Sequence, residues 1–314
     1  MSTFPEYVSL DYDAGRGGAA SDYPTLGEKF EQAVAVTREA LDTYQNPAVL
    51  WTGGKDSTLV LYVVQQVCAE DGRAVPPVVF IDHFQHFDET IAFVERWADE
   101  WDLDLIMARN EAIAGLGMQP GESMPVADLP ESVRRELARL DYEGDEFVLD
   151  ADSMAGNHLL KTVAMNDLVE KEGYDALFSG VRWDEQAARA TETFFSPRHD
   201  AAKYPPHDRV HPILQFDERA VWDGFWHYIV PDSVDGYPAG HVPESVDDLA
   251  GFEPTDLPVS PKYFEGYRSL GTREGSGTAA DRPAWLRVGE GSEREGRAQD
   301  KEGLMAQLRD LGYM

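Results

Sequence analysis

Residues 50–57 read Leu50-Trp51-Thr52-Gly53-Gly54-Lys55-Asp56-Ser57. The apolar residues from Ala48 onward predict a short buried strand that leads into this stretch. Two glycines at the end of that strand allow the backbone to turn sharply and to bring bare amide groups close to an anion. The run from Thr58 to Ala69 predicts a helix, whose unpaired N–H groups and positive dipole end would face the same anion. The sequence therefore predicts a phosphate-binding turn.

The polar side chains of this turn suit a pyrophosphate group, because Lys55 supplies a positive charge and Ser57 a hydroxyl. A Walker A loop is excluded. That motif needs Ser or Thr directly after the lysine and a glycine five positions before Gly54, where this chain has Asp56 and Val49. The alternative to a phosphate site is an ordinary glycine-rich turn with an exposed lysine.

Composition and charge limit the partners of the protein. The chain has 314 residues, of which 42% are hydrophobic, enough for one sizeable core or two small ones. It carries 58 acidic against 27 Lys and Arg residues, a net charge of −31, and the acids are spread through every segment. Since such self-repulsion destabilises a compact state in dilute buffer, we expect a halophilic protein, the alternative being an ordinary acidic one. Without a basic stripe, nucleic acid is not expected as a partner.

The single cysteine, Cys68, lies among apolar residues of the predicted helix, so we expect an inert buried thiol and no disulfide within the chain. No apolar run approaches the length that spans a bilayer. The acidic N-terminus, with Glu6, Asp11 and Asp13, does not resemble a signal peptide. We expect a cytoplasmic protein with no membrane partner.

Strand and helix patterns alternate along the chain. Strands are predicted at 48–51, 78–81, 105–107 and 176–178, and helices at 25–44, 56–70, 88–101 and 157–172. This alternation predicts an α/β fold, with a mainly parallel sheet, helices on both faces and ligands at the carboxyl ends of the strands, plus a short C-terminal tail.

Three regions are predicted along the chain. Residues 1–25 form a loose N-terminal segment, residues 26–230 the nucleotide-binding domain, and residues 231–314 a Pro- and acid-rich loop with a C-terminal tail that ends in a helix, Lys301 to Leu311. Either the excursion at 115–150 or the long loop at 231–262 could act as a lid.

Residues 52–57 resemble the Ser-Gly-Gly-Lys-Asp-Ser signature of the PP-loop ATP pyrophosphatases, which cleave ATP between its α and β phosphates; Thr52 stands where that family usually has Ser. Further segments resemble phosphoadenylyl-sulfate reductases and the small subunit of bacterial-type sulfate adenylyltransferase. The resemblance covers most of residues 48–230 and the extreme C-terminus. It implies an adenine nucleotide alpha hydrolase-like, Rossmann-like fold and the use of ATP with Mg²⁺. It also implies nucleotide contacts from Thr52, Gly53, Gly54, Lys55, Asp56, Ser57, Asp82 and Gly180.

The first of these segments is Phe80-Ile81-Asp82, followed by Phe87-Asp88-Glu89-Thr90. Asp82 could accept hydrogen bonds from ribose hydroxyls or orient a metal-bound water, or it could simply cap the next helix. His83 and Phe84 depart from the Thr-Gly that is usual there. The pair His83 and His86 lacks the cysteine or acidic cluster of a zinc site, so no side chain is assigned as a metal ligand.

The second segment is Phe178-Ser179-Gly180-Val181-Arg182-Trp183-Asp184-Glu185, with Arg189 beyond it. The resemblance implies that Arg182 and Arg189 cradle phosphate or sulfate oxygens. Alternatively, the two arginines only pair with Asp184, Glu185 or Glu192 on a solvated helix.

The third segment, Arg209 to Leu214, resembles the family's His-Pro-Leu stretch, and His211 either faces the substrate or is structural. The C-terminal stretch Ser292 to Ala298, with Asp300 and the final Gly312-Tyr313, resembles the end of the sulfate adenylyltransferase small subunit. Its Arg294 and Arg297 could fold over the nucleotide or dock a partner.

The reductases of this branch need a cysteine near the C-terminus, and this chain has none after Cys68. Transfer at the α-phosphorus remains: an oxyanion attacks while pyrophosphate leaves. The residues expected to act in catalysis are Lys55, Asp56, Arg182 and Arg189. If the anion is sulfate, the product is adenylyl sulfate, and the resemblance implies a separate GTPase partner subunit. Two alternatives stay open: adenylation of another acceptor for sulfur insertion into tRNA or DNA, and a nucleotide-binding subunit without turnover.

Overall fold

A computed structural model describes residues 4–277 and 279–294. Its strands are β1 (Pro47–Leu50), β2 (Val78–Ile81), β3 (Leu105–Ala108), β4 (Ser123–Pro125), β5 (Glu146–Val148), β6 (Ala176–Phe178), β7 (Phe195–Arg198) and β8 (His207–Val210). Six of them form one sheet in the order β3-β2-β1-β6-β8-β7, in which only β7 runs antiparallel to its neighbour; β4 and β5 form a separate antiparallel pair. The predicted α/β class with a mainly parallel sheet is confirmed.

The α-helices are α1 (Leu26–Thr43), α2 (Lys55–Asp71), α3 (Asp88–Glu100), α4 (Glu111–Ala114), α5 (Glu131–Arg139), α6 (Met154–Asn157), α7 (Ala164–Glu172), α8 (Glu218–Gly224), α9 (Val230–Ser233) and α10 (Pro261–Phe264). A π-helical stretch, His158–Val163, joins α6 to α7, and a second, Phe225–Ile229, joins α8 to α9. Short 3₁₀ turns lie at Ala20–Asp22, Val126–Asp128, Ala187–Arg189, Val246–Asp248, Pro254–Asp256 and Ala284–Arg287.

Helices cover both faces of the sheet, because successive side chains of a strand point to opposite faces. Val49 and Phe80 belong to a large core cluster with residues of α1, α2 and α3. Their neighbours Ala48 and Val79 point the other way and pack with α7, for example with Met165. Ala48, Val49 and Trp51 are buried and Leu50 is partly buried, which agrees with the buried strand that the apolar run predicts.

The order of the strands reverses between β1 and β6. From β1 the chain moves outward to β2 and β3, and it then crosses to the other side of β1 to form β6. In an open parallel sheet, this reversal leaves a crevice at the carboxyl ends of the two strands. The turn that follows β1 and the glycine that follows β6 therefore meet at one place.

Helix α2 begins within the phosphate-binding motif. Gly54 is its N-cap residue with extended backbone (φ −81°, ψ 157°), and Gly72 ends it in the left-handed conformation at φ 65°. The predicted helix at 56–70 is confirmed, and the thiol of Cys68 on it is buried as expected. Burial raises the pKa of that thiol above its usual value.

Two regions differ from the expectations for the ends of the chain. Residues 4–25 contain little regular structure but pack on the domain: the hydroxyl of Tyr12 donates to Asp208 at 2.9 Å, and that of Tyr7 donates to Asp175. They are therefore docked, not loose. Tyr263 and Trp285, from the region after residue 231, pack against Trp222 in the main core. The helix predicted at Lys301 to Leu311 lies outside the described residues.

Across residues 4–277 and 279–294, none of the helices combines the length and apolar character needed to cross a membrane.

Candidate active site

A cleft of about 270 Å³ opens at the carboxyl ends of β1 and β6. Its wall contains many of the predicted site residues, namely Thr52, Gly54, Lys55, Asp56, Ser57, Gly180 and Arg189. Gly53, Asp82 and Arg182 are not on this wall. The cleft thus brings together the turn, the end of β6 and Arg189. The other three predicted residues lie behind or beside the wall.

The turn is held by its own hydrogen bonds. The amide of Thr52 donates to the Ser57 hydroxyl at 3.1 Å, and that hydroxyl donates to the Gly54 carbonyl at 3.0 Å. Gly53 has φ +71°, a conformation that favours glycine, and a Cβ there would lie 2.9 Å from a methyl group of Val94. Both the backbone and the available space therefore require glycine at position 53.

Gly180 allows the end of β6 to approach the start of α2. A Cβ at this position would lie 2.7 Å from the carbonyl carbon of Asp56 and 2.8 Å from the amide nitrogen of Ser57. Because these are backbone atoms of a helix, they cannot move aside cheaply. The glycine thus fixes the distance between the two halves of the cleft.

Lys55 is buried at the base of the turn, with 1% of its side chain exposed. Its ammonium group donates to Asp56 at 3.0 Å, to Glu293 at 2.5 Å and to the Arg268 carbonyl at 3.3 Å. Burial alone would lower its pKa, but the two carboxylates outweigh that effect and raise the pKa above its usual value. Lys55 is therefore a charged residue whose three N–H groups all have partners.

Arg182 lies beneath the turn and is fully buried. Its Nε donates to Asp184 at 2.9 Å, Nη1 to Asp56 and Nη2 to Glu293. Although burial opposes the charge, these carboxylates raise the pKa of the guanidinium well above its usual value. The pairing with Asp184 that the sequence left open is thus present: it joins a fully buried Arg182 to a carboxylate that is 30% exposed, and it does not lie on a solvated helix.

Arg189 and Arg294 both stand on the wall of the cleft and share one carboxylate. Glu185 accepts from Nη1 of Arg189 and, at 2.6 Å, from Nη1 of Arg294. Burial raises the pKa of Glu185, but the arginines outweigh this and hold the pKa well below its usual value. Arg294 therefore reaches the cleft, which the expectation that the tail folds over the nucleotide requires. Arg297 lies outside the described residues.

The cleft wall is basic in an otherwise acidic chain. Its described charged residues are five basic ones (Lys55, Lys161, Arg189, Arg209 and Arg294) and two acidic ones (Asp56 and Glu185). Sequence reasoning assigned no site role to Lys161 or Arg209. Arg209 is the first residue of the third segment that resembles the family. Lys161 lies on the π-helical stretch before α7, where no sequence pattern marks it as a site residue.

Asp82 follows β2 and accepts a hydrogen bond from the amide of Phe84 at 2.9 Å. Phe84 has φ +66°, which suits the glycine that is usual at this position in the resembling family. Helix α3 has Phe87 as its N-cap residue and no side-chain cap, so Asp82 does not cap it. A contact between Asp82 and the ribose stays a prediction.

His83 and His86 line the cleft with their rings stacked, 3.6 Å between centroids. Burial lowers the pKa of His86 to about 4, so this ring is neutral near pH 7. Nowhere in the described ranges do three or more His, Cys, Asp or Glu side chains cluster as they would around a metal ion.

His211 supports the cleft from behind. It is buried, and its Nδ1 lies 2.9 Å from the hydroxyl of Ser179, which is on the wall. Its Nε2 faces Glu192 at 3.7 Å. Burial lowers its pKa to about 3. Of the two expectations for His211, the structural one fits its position.

Tyr263, on α10, is a site residue that sequence reasoning missed. Its hydroxyl accepts a hydrogen bond from the amide of Lys55 at 2.7 Å, so it contacts the first N–H of α2. The two residues are separated by 208 positions in the chain. No local pattern could reveal such a contact.

The comparisons with known proteins identify the family of the chain. The model of the phosphoadenosine phosphosulfate reductase domain matches residues 46–234. Sulfate adenylyltransferase subunit 2 of Allorhizobium ampelinum is 26% identical over 252 residues, which cover 80% of this chain and 68% of that protein. The protein of the same name from Methylobacterium sp. is 27% identical over 322 residues, covering 90% and 92% of the two chains.

Among solved structures, phosphoadenylyl-sulfate reductase from Candida auris superimposes with a TM-score of 0.49 at 14% identity, covering 86% of this chain and 99% of that one. The domain match alone spans more than half of the 314 residues. The chain therefore belongs to the phosphoadenosine phosphosulfate reductase domain family.

Proposed function

We propose that this protein transfers the adenylyl group of ATP to an oxyanion and releases pyrophosphate. One observation carries the proposal: the Gly53-Gly54-Lys55 turn opens into a basic cleft at the reversal point of the sheet, in a chain with net charge −31. A basic pocket in so acidic a protein supports an anionic ligand that is held locally.

The polyphosphate of ATP would lie along the turn, near Lys55, the hydroxyl of Ser57 and the amides of α2 that follow Lys55. The base would pack on the apolar part of the cleft, which Leu50, Val79 and Ile81 line. The ribose would then lie between the turn and the apolar part of the cleft, where Asp82 at the end of β2 could reach the ribose hydroxyls.

The acceptor anion would bind on the opposite side of the turn, where Arg189, Arg209 and Arg294 line the wall. One of its oxygens forms a bond to the α-phosphorus while the bond to the bridging oxygen of pyrophosphate breaks. Because sulfate is fully deprotonated and pyrophosphate leaves as an anion, no general base is needed. The catalytic task is positioning and charge stabilisation, as predicted for Lys55, Asp56, Arg182 and Arg189.

Sulfate is the acceptor that the relatives favour, since they are named sulfate adenylyltransferase subunit 2. The product would be adenylyl sulfate. The word "subunit" in those names supports a separate partner, and the sequence resemblance implies that this partner is a GTPase. A cytoplasmic location stays a prediction.

Mg²⁺ is compatible with the residues present. The ion usually binds through one or two carboxylates together with substrate phosphates, and Asp56 offers a partly exposed carboxylate beside the turn. When bound, Mg²⁺ would neutralise part of the charge on the polyphosphate. Asp56 would hold it there while Lys55 and Arg182 keep that carboxylate in place.

Transfer of a label from the α-phosphate of ATP tests the proposal. The protein is incubated with α-labelled ATP, sulfate and Mg²⁺ in molar potassium chloride, and the products are separated. We expect label in adenylyl sulfate, with one pyrophosphate released for each product. Label in AMP or in a nucleic acid polymer would support the adenylation of another acceptor for sulfur insertion. ATP that is bound but left intact, both with this protein alone and after addition of the partner subunit co-purified from the host, would contradict an enzyme and favour a subunit without turnover.

A further inference from the structure

The two cations beneath the turn, Lys55 and Arg182, are bridged by a carboxylate from a distant part of the chain. One oxygen of Glu293 lies 2.5 Å from the ammonium nitrogen of Lys55, and the other accepts from Nη2 of Arg182. The Glu293 side chain is only 7% exposed. Lys55 is the cation expected to bind the leaving pyrophosphate, and Arg182 is one of the two arginines expected to bind a phosphate or sulfate oxygen. Glu293 therefore stands where an oxygen of a bound anion would lie.

A phosphate oxygen can reach Lys55 only by replacing one of its partners. The three N–H groups of the ammonium go to Asp56, the Arg268 carbonyl and Glu293. Asp56 is fixed on α2 beside the lysine. Arg268 is itself anchored, because its Nε donates to the buried carboxylate of Glu218 at 3.1 Å. Glu293 lies on neither a helix nor a strand, so it is the partner that can be exchanged without moving a regular element, although Nη1 of Arg268 donates to the carbonyls of Glu290 and Ser292 just before it.

The local charge leads to the same conclusion. Lys55 and Arg182 already face three carboxylates, those of Asp56, Asp184 and Glu293. A pyrophosphate group would add further negative charge to this buried place, where repulsion is weakly screened. The departure of Glu293 removes one of the charges and frees one donor on each cation.

The backbone before Glu293 allows such a movement. Gly289 and Gly291 have φ +92° and +62°, and a Cβ at Gly289 would meet no atom within 4 Å. Glycine reaches both signs of φ at little cost, so these two residues allow the backbone to rotate at the point where the chain enters the site. The next residue, Arg294, lies on the wall of the cleft, so a shift of Glu293 also affects the side where the acceptor would bind.

We propose that the Glu293 carboxylate is an internal substitute for the leaving pyrophosphate. The carboxylate occupies the anion position between Lys55 and Arg182, and nucleotide binding displaces it. The inference rests on the proposed function of the turn and adds a means of regulating it. Whatever holds Glu293 in place weakens the apparent affinity for nucleotide, and whatever draws its segment away strengthens that affinity.

Calorimetric binding of inorganic pyrophosphate to the full chain tests the proposal. In Glu293→Gln we expect affinity to rise at least about tenfold, because the apparent dissociation constant falls as the open fraction grows. The matched control is Glu290→Gln, which removes a carboxylate from the same segment that pairs with Arg282 and Arg287 outside the cleft. Its affinity should equal that of the unmodified protein.

A second measurement needs no substitution and decides the question if Glu293→Gln does not fold. Hydrogen exchange of residues 285–294 is recorded in the unmodified protein with and without pyrophosphate. We expect faster exchange when pyrophosphate is bound. The displacement of Glu293 would be overturned by exchange that is unchanged or slower. It would also be overturned if folded Glu293→Gln bound pyrophosphate with equal or weaker affinity. Either result would leave the proposed phosphate-binding role of the turn standing. If neither protein binds pyrophosphate, the turn itself is refuted, and the proposed function with it.

Discussion

At the scale of single residues, Lys55 is the side chain on which the proposed reaction depends most. It is the cation at the start of α2, and its charge is sustained by two carboxylates in a buried place. Charge that develops on a leaving pyrophosphate is stabilised most by such a fixed cation, because the group does not have to reorganise during the reaction.

Replacing Lys55 with Met should therefore reduce kcat/KM for adenylyl transfer by about 10²- to 10³-fold. The substitution also removes one cation from the partly exposed carboxylate of Asp56 and from the buried carboxylate of Glu293, which should lower the free energy of unfolding by about 3 kcal/mol. Rates are measured well below the melting temperature for that reason. Lys171→Met, which removes an exposed lysine paired only with Glu172, is the control and should keep full activity. A Lys55→Met enzyme as fast as this control would contradict the role.

The turn was predictable from the sequence because its residues are adjacent in the chain. Thr52 to Ser57 satisfy one another by local hydrogen bonds, and glycine at position 53 follows from the backbone. Tyr263 and Glu293 were not predictable, because each reaches Lys55 across more than 200 positions of the chain. Contacts of that kind depend on how the elements pack, which a local pattern does not contain.

At the scale of elements, the close approach of β6 to α2 determines the width of the cleft. Gly180→Ala should push the start of α2 away, at a cost of about 1–3 kcal/mol for overpacking, and should weaken pyrophosphate binding as well. Gly27→Ala, in the first turn of α1, is the matched control: the nearest atom lies 3.9 Å from the new Cβ, and stability should rise by up to about 1 kcal/mol. Denaturant titration and calorimetry measure both effects. Unchanged pyrophosphate binding in Gly180→Ala would show that the spacing does not matter.

The predicted strands were those with apolar runs. Strands β4, β5, β7 and β8 were not predicted, and of these β7 and β8 belong to the main sheet. His207, Asp208 and Arg209 of β8 are all buried, so the strand lacks an apolar pattern. The carboxylate of Asp208 is satisfied instead by distant donors, including the Tyr44 hydroxyl at 2.7 Å. Hydrophobic periodicity cannot identify a strand whose buried polar side chains find their partners elsewhere in the fold.

At the scale of the whole molecule, three buried histidines make stability depend on pH. Burial lowers the pKa of His207 and of His211 to about 3 and that of His86 to about 4. Since an unfolded histidine titrates near pH 6.5, the unfolded state binds more protons below that pH. The contribution of these histidines to the free energy of unfolding is therefore fully present above about pH 6.5 and decreases as the pH drops toward 4. Each histidine lowers the free energy of unfolding by up to about 1.4 kcal/mol per pH unit.

Urea titrations across this pH range, at constant potassium chloride, measure the slope. His211→Gln should reduce it, whereas His227→Gln, which removes an exposed histidine, should not. Equal slopes in the two variants would mean that His211 takes up its proton without unfolding.

The net charge of −31 predicts a strong dependence on salt. Repulsion among surface carboxylates extends over about 10 Å at 0.1 M salt and only about 3 Å at 1 M. The melting temperature should therefore rise by several degrees between these potassium chloride concentrations. A melting temperature that stayed constant or fell with salt would count against a halophilic protein.

A crystal structure of the full chain with a non-hydrolysable ATP analogue shows directly whether the turn after β1 binds the polyphosphate. We expect the β- and γ-phosphates to lie within about 3 Å of the Lys55 ammonium, the Ser57 hydroxyl and the amides of α2 that follow Lys55. An analogue bound elsewhere, with the turn after β1 not in contact with any phosphate, would contradict this expectation.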